Sequence, residues 1–184
     1  MKKEALILID IQDVYFMPGP YLLHKPKEAA RNAGILLERF RAEKKTIVHV
    51  KHDFGAFAEI HKSVAPLPDE KIIFKKYPSS FLGTELQEYL VSQGIEKLVV
   101  AGMMSHMCVD TTVRACQDYG YEVVVIEDAC TTKNLSFHGT TIPAETVHAT
   151  FMAALDGMFA KVMKLADLWN GDLHEDKKGL HMST

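Results

Sequence analysis

Leu98-Val99-Val100-Ala101-Gly102-Met103-Met104-Ser105-His106-Met107-Cys108-Val109-Asp110 is the stretch on which the reading of this chain turns. An apolar, β-branched run ends at Gly102, and from Cys108 a helical pattern continues through Val113, Ala115 and Cys116. The pattern predicts a buried strand, a tight turn and a helix, with Cys108 at or near the helix N-terminus. Backbone N–H groups at such an end have no partner inside the helix, and the macrodipole adds partial positive charge. A thiol placed there is expected to ionise more easily, and the thiolate is the nucleophile. The same pattern fits a small buried Cys at a strand–helix junction equally well, because free cysteine is among the most buried residue types.

Outward from this stretch, strands and helices alternate. Residues 5–9 form a continuous apolar run, the mark of a strand buried on both faces, and Asp10 closes it. A carboxylate there needs a partner, backbone amides to cap, or a solvated cleft. Helical spacing covers 26–44, a second strand 46–50, and a third 72–74. A helix over 84–93 has Thr84 as its N-cap and stops at Gly94. Further strands are expected over 97–101, 123–126 and 160–165, with helices over 105–119 and from Pro143 to about residue 159; 130–143 reads as loop. This is an α/β chain: a three-layer αβα sandwich around a doubly wound, mainly parallel six-stranded sheet of order 3-2-1-4-5-6. One domain is expected over 1–170, followed by a polar tail over 171–184.

In that order strands 1 and 4 are neighbours at the topological switch point, where ligands bind beyond the carboxyl ends of the strands. Asp10 and Cys108 are thereby brought to one crevice. No G-x-G-x-x-G or G-x-x-x-x-G-K-[ST] loop is present, which argues against dinucleotide binding and phosphoryl transfer. Of 184 residues, 47% are hydrophobic and 24% charged, with a net charge of -3, so neither nucleic acid nor an anionic membrane is an expected partner. Three cysteines do not make a disulfide framework and fit a reducing compartment. The N-terminal apolar run, five residues long, is too short for a signal peptide or a membrane span. The expectation is a soluble cytoplasmic protein.

Several motifs in order complete the reading. They are Leu8-Ile9-Asp10-Ile11-Gln12; Lys75 with Ser79-Ser80-Phe81, Gly83-Thr84 and Leu86; Gly102 through Cys108-Val109 with Thr112 and Arg114; then Gly120-Tyr121, Val123 and Asp128-Ala129. On these the chain, from about residue 4 to 165, resembles the isochorismatase-like cysteine hydrolases, which include nicotinamidases and N-carbamoylsarcosine amidohydrolase. The resemblance implies a triad of Asp10, Lys75 and Cys108, with Lys76 solvated. It also implies a cis peptide between Met103 and Met104, and an oxyanion hole from the Met104 and Cys108 amides. The implied reaction cleaves a small amide-type C–N bond through a thioester and requires no metal or organic cofactor. It further implies a small-molecule substrate and a homo-oligomer, dimer or tetramer.

The chain also departs from its relatives. The Asp-x-His metal set that nicotinamidases carry after strand 2 is missing, since His52-Asp53-Phe54 stand there, so no metal site is expected. Relatives that hydrolyse isochorismate, a vinyl ether, lack the cysteine, so the thiol favours an amide. Vinyl-ether hydrolysis and a catalytically silent binding homologue are the alternatives. Residues expected to bind substrate are Gln12, Phe16, His52, Tyr77, Phe81, Met103 and His106, with Phe54 or Phe57; ordinary packing fits each of them as well. Cys116 and Cys130 are expected to be structural.

Overall fold

The structure, a computed structural model, describes residues 2–55 and 58–168. Six parallel strands form the central sheet: β1 (Glu4–Ile9), β2 (Thr46–His52), β3 (Lys71–Lys75), β4 (Lys97–Met103), β5 (Glu122–Thr131) and β8 (Lys161–Met163). Their order is β3-β2-β1-β4-β5-β8, the expected doubly wound order with β8 as its sixth strand. Helix α1 (Pro26–Ala42) covers one face. Helices α2 (Leu86–Ser92), α3 (Asp110–Asp118) and α4 (Ala144–Leu155) cover the other.

Strand alternation explains the two cores. Ile7, Ile9, Val48, Val50 and Val100 pack toward Leu86, Leu90, Val113 and Leu155. Leu6, Leu8, Val99 and Ala101 pack toward Ala33, Leu36, Leu37 and Phe40 of α1, whose apolar positions recur at helical spacing. Each fully buried Val, Leu or Ile contributes about 1.5–3 kcal/mol, so this layered packing is the main source of stability. Among the described residues, no helix is long and apolar enough to cross a membrane.

Four stretches differ from the sequence reading. Residues 105–119 do not begin as a regular α-helix: Ser105–Val109 form a wider π-type turn that contains Cys108, and α3 starts only at Asp110. Strand β5 runs on to Thr131, and the expected loop after it holds a hairpin of β6 (Leu135–Phe137) and β7 (Thr140–Ile142). Its turn residues His138 and Gly139 both have positive φ, 46° and 77°, the requirement of a two-residue turn whose twist matches the strands. Pro143 stays extended (ψ 145°) just before α4, which stops at Leu155 because Asp156 is extended. Helix α2 begins at Leu86, although Thr84 Oγ1 does accept the Leu86 N–H at 3.3 Å. The tail over 171–184 lies outside the described residues, as does Phe57.

Gly102 fixes the crevice. Its φ is +150°, and a Cβ on it would overlap the Ile9 carbonyl oxygen of the neighbouring strand. Ile9 is its register partner in β1, and the register against β5 shifts between Val100 and Gly102. The pairing of β4 with β1 ends here, directly beside Asp10, while Gly102 and Met103 stay paired with β5.

Candidate active site

Strands β1 to β4 each deliver one piece at the carboxyl end. Asp10 follows β1 with a left-handed φ of 50°, which Asp adopts more readily than most residues. Its N–H donates to Val50 O at 3.0 Å, and its side chain is fully buried. His52 ends β2 and is in register with Lys75, which ends β3. Lys75 shares a strand face with buried Ile73, whereas the next residue, Lys76, is exposed.

Lys75 is 2% exposed, and its ammonium has four neighbours: Asp10 Oδ2 at 2.7 Å, His52 Nδ1 at 2.9 Å, Tyr77 O at 3.1 Å and Cys108 Sγ at 3.2 Å. An ammonium has three N–H groups, so one neighbour always shares. The Asp10 contact is close but poorly directed, and neither carboxylate oxygen receives a well-formed hydrogen bond from a described residue.

Cys108 is held by its turn. The Met103–Met104 peptide is cis, and the Met107 and Val109 N–H groups both donate to Met104 O, at 3.0 and 3.3 Å. Ser105 Oγ, fully buried, hydrogen-bonds His148 Nδ1 of α4 at 2.7 Å and ties the turn to that helix.

Burial pushes the Asp10 carboxyl up to about 6, with Lys75 pulling the other way. Burial, then the Asp10 charge, pushes the Cys108 thiol up, against the pull of Lys75. This corrects the expectation of an easily ionised thiol. A helix-end field was expected to dominate, but the thiol sits in a π-type turn, out of water, beside an anion. The resting pair is a thiol with a carboxylate that has lone pairs free to take its proton. Burial and the Lys75 charge push His52 down, so its neutral ring accepts from Lys75 at Nδ1 and carries its proton on Nε2.

Donor atoms of Asp10, His52 and Cys108 lie within 4.8 Å of one another, the spacing of a metal triad. Lys75 Nζ touches all three, so its ammonium holds the centre of that set, and a metal ion would have to displace it. A cavity of about 400 Å³ opens on the sheet-edge side of this cluster, lined by Lys75, His52, Gly55, Tyr77 and Leu82.

The isochorismatase domain profile matches residues 4–167 of the chain. An uncharacterised isochorismatase family protein of Bacillus subtilis is 45% identical over 169 residues, covering 86% of this chain and 94% of its own. The crystal structure of an isochorismatase from Pseudomonas putida is similar with a TM-score of 0.85 at 36% identity, covering 89% of each chain. This chain belongs to the isochorismatase family. A further relative, the maleamate amidohydrolase of Pseudomonas putida, is 24% identical over 152 residues, 69% of this chain and 71% of its own.

Within this isochorismatase fold the remaining site residues separate. Asp10, Lys75, Cys108 and His52 come together. Gln12 does not face the crevice as a free amide: its Nε2 donates to the His52 and Ala58 carbonyls, and its Oε1 accepts the His52 N–H at 2.8 Å. It positions the segment after β2. Phe16 stacks on His61 (centroids 3.8 Å) and packs with the α1-side core. Phe81 is buried against Tyr119 and Tyr121, and Met103 is fully buried in the α1-side core. These two are packing residues; an aromatic or Met in a motif does not say which way its side chain turns. Tyr77 contributes its carbonyl to Lys75, and its exposed ring lines the cavity. His106 hydrogen-bonds Thr132 Oγ1 at 2.5 Å from the cysteine's own turn.

Sequence reasoning missed Tyr15. The turn at Asp13–Tyr15 buries it, where burial and then the charges of Asp10 and Cys108 push its hydroxyl far up, and its ring meets Phe54 edge-on at 5.8 Å. It stands one residue before the aromatic chosen from the sequence.

Proposed function

We propose that this protein is a cysteine hydrolase that cleaves a small amide C–N bond through a thioester on Cys108. The observation that carries the reading is the buried Lys75 ammonium, 2.7 Å from Asp10 and 3.2 Å from the Cys108 sulfur. The amide bond named in the maleamate relative supports the choice of substrate class.

Asp10 accepts the thiol proton as sulfur attacks the carbonyl carbon. The third N–H of Lys75, shared between Asp10 and Cys108 at rest, follows the negative charge to sulfur. The Met104 and Cys108 amides receive the developing oxyanion. The carbonyl re-forms, the C–N bond breaks, and Asp10 returns the proton to the departing amine. Asp10 then takes a proton from water as its oxygen attacks the thioester, and the sulfur leaves as thiol with that proton. The acid departs and the pair is restored.

The test is ammonia release from a panel of small primary amides, with Cys108→Ala alongside. An acid quench during turnover should leave the substrate's acyl mass on the Cys108 peptide. Pyruvate formation from isochorismate with no ammonia from any amide would replace the reading by ether hydrolysis. A Cys108 that neither acylates nor alkylates in the folded protein would leave a silent homologue.

A further inference from the structure

The turn that carries Cys108 is clamped from two sides. Helix α4 presents His148 and Phe151, three residues apart and so on one face, to the first two residues of the turn. His148 Nδ1 meets Ser105 Oγ at 2.7 Å, and the Phe151 ring meets the His106 ring edge-on with centroids 5.9 Å apart. On the other side, His106 Nδ1 bonds Thr132 Oγ1, just past the end of β5. The two sides are joined. His24 donates its N–H to Thr132 O at 2.7 Å, and its Nε2 lies 3.2 Å from Glu145 Oε1 on α4. Asn134 Oδ1 accepts the Ala144 N–H at 2.8 Å, which ties the first turn of α4 to the segment after β5.

Inside this clamp the Ser105–His148 bond has a fixed direction. Burial pushes the His148 ring down, with the Glu127 charge working the other way and His24 adding to the fall, so the ring is neutral and carries one N–H. Ser105 is fully buried, and among the described residues His148 is the one partner of its hydroxyl. A proton on Nδ1 would leave the hydroxyl hydrogen buried without an acceptor, whereas a proton on Nε2 frees Nδ1 to accept it. Ser105 therefore donates and His148 accepts. Stability does not call for this pair, because two apolar groups of the same shape would fill the space at little or no cost. What a buried, directional bond adds is orientation. Ser105 directly follows Met104, and the Met107 and Val109 N–H groups, one on each side of Cys108, both donate to Met104 O. The orientation of Ser105 thus passes to the amides of Met104 and Cys108.

We infer that His148 is a positioning residue for acyl transfer: by accepting the Ser105 hydroxyl it fixes the turn that aims the Met104 and Cys108 amides at the developing oxyanion. The role rests on the acyl chemistry of the hydrolase reading but not on an amide as substrate, and an activated ester tests it without knowledge of the substrate.

The Cys108 sulfur attacks both p-nitrophenyl acetate and iodoacetamide, but the two reagents differ in what they need around it. With the ester, sulfur bonds the acetyl carbon, Asp10 takes the thiol proton, an oxyanion forms, and p-nitrophenolate leaves. With iodoacetamide, sulfur displaces iodide at a saturated carbon and no oxyanion forms. The ratio of ester turnover, corrected with Cys108→Ala, to alkylation at Cys108, mapped by peptide, therefore reads the oxyanion hole. It should fall about tenfold or more in His148→Leu and in Ser105→Ala, and no further in the double variant, because the two groups act as one unit. His148→Asn, whose Oδ1 can accept where Nδ1 does, should restore most of it. Val147→Ala truncates a buried neighbour on α4 and should lower the melting temperature while leaving the ratio. The double variant leaves no hydroxyl unpaired, so it gives an answer even where His148→Leu does not fold. A ratio unchanged in Ser105→Ala and the double variant overturns the inference, and so does a fall that His148→Asn leaves in place or that Val147→Ala matches. Ester turnover that does not need Cys108, or a Cys108 that iodoacetamide does not reach, overturns it as well. Ammonia release from primary amides is followed in the same variants. The expected ratios with no ammonia from any amide keep the positioning role and remove amide hydrolysis. Ammonia release at the parent rate throughout, with an unchanged ratio, does the reverse.

Discussion

Two carboxylates, Asp10 buried and Glu70 half-buried, stand on opposite faces of the sheet, each with a cation and a histidine of β2, and they titrate in opposite directions. Glu70 accepts from Arg41 Nε and Nη2 at 2.7 and 2.8 Å, from the Leu67 N–H at 2.8 Å and from His49 Nε2 at 2.9 Å. Burial works against its charge, yet these donors bring it down to about 2. Asp10 has a lysine at 2.7 Å and no well-directed donor, and burial takes it up to about 6. Proximity to a cation is common to both. The count of aligned donors differs, and it decides whether a buried carboxylate is a fixed brace or a base with vacant lone pairs.

Activity is the hardest test of that contrast. Asp10→Asn keeps shape and removes basicity, and should lower kcat/KM for amide hydrolysis by about a thousandfold, the scale of lost general-base catalysis. Glu70→Gln should leave kcat/KM within about twofold at a temperature where it is folded. Equal losses in the two variants would erase the distinction.

Stability should separate them the other way. Glu70→Gln gives up charge-assisted bonds in a half-buried place and should cost about 2 kcal/mol at pH 7 in denaturant melts. The pH dependences then have opposite signs. Glu70 is lowered in the fold, so its contribution is present above about 4.5 and fades as pH falls toward about 2. Asp10 is raised, so its contribution is present below about 3.8 and fades as pH rises through about 6. Parent minus Glu70→Gln should shrink toward acid, and parent minus Asp10→Asn should grow. Parallel curves would contradict the assignment of the two environments.

The same raised carboxyl should mark the rate. Activity needs Asp10 ionised to take the thiol proton, so kcat/KM should fall toward acid with a midpoint near 6. A midpoint in the ordinary carboxylate range near 4 would mean that water or substrate rescues Asp10 from its burial.

How far the sequence reveals this contrast follows from what patterns encode. The strand order, and with it the meeting of Asp10 and Cys108, is legible because apolar runs and their crossovers are long-range periodic signals. The choice of Lys75 over Lys76 comes from the family motif, and strand parity beside Ile73 gives its physical reason. Local geometry hides the rest. A turn of three residues puts Tyr15 rather than Phe16 inside, and a π-type turn removes Cys108 from the helix end that made it look acidic. The hairpin over 135–142 had a readable sign in His138-Gly139, but only three residues on each side. Gln12 sits in a motif and looks like a ligand-binding amide, yet its hydrogen bonds are taken up by the end of β2, 40 residues away.

The two histidines give the finest version of the comparison. His49 and His52 lie three apart on β2, hence on opposite faces, and each touches one of the two clusters. His49→Leu removes one of four donors to Glu70. The other three keep the carboxylate satisfied, and the loss of an Nδ1 that has no partner among the described residues offsets part of the cost. The expected change is about 1 kcal/mol, with kcat/KM unchanged. His52→Leu removes one of the acceptors that orient an ammonium shared between a base and a nucleophile, and no other described group takes its place. Its effect should therefore appear in kcat and in the alkylation rate of Cys108 rather than in the melt. If instead His49→Leu unsettles the rate, or His52→Leu changes only stability, aligned donors do not divide brace from base in this fold.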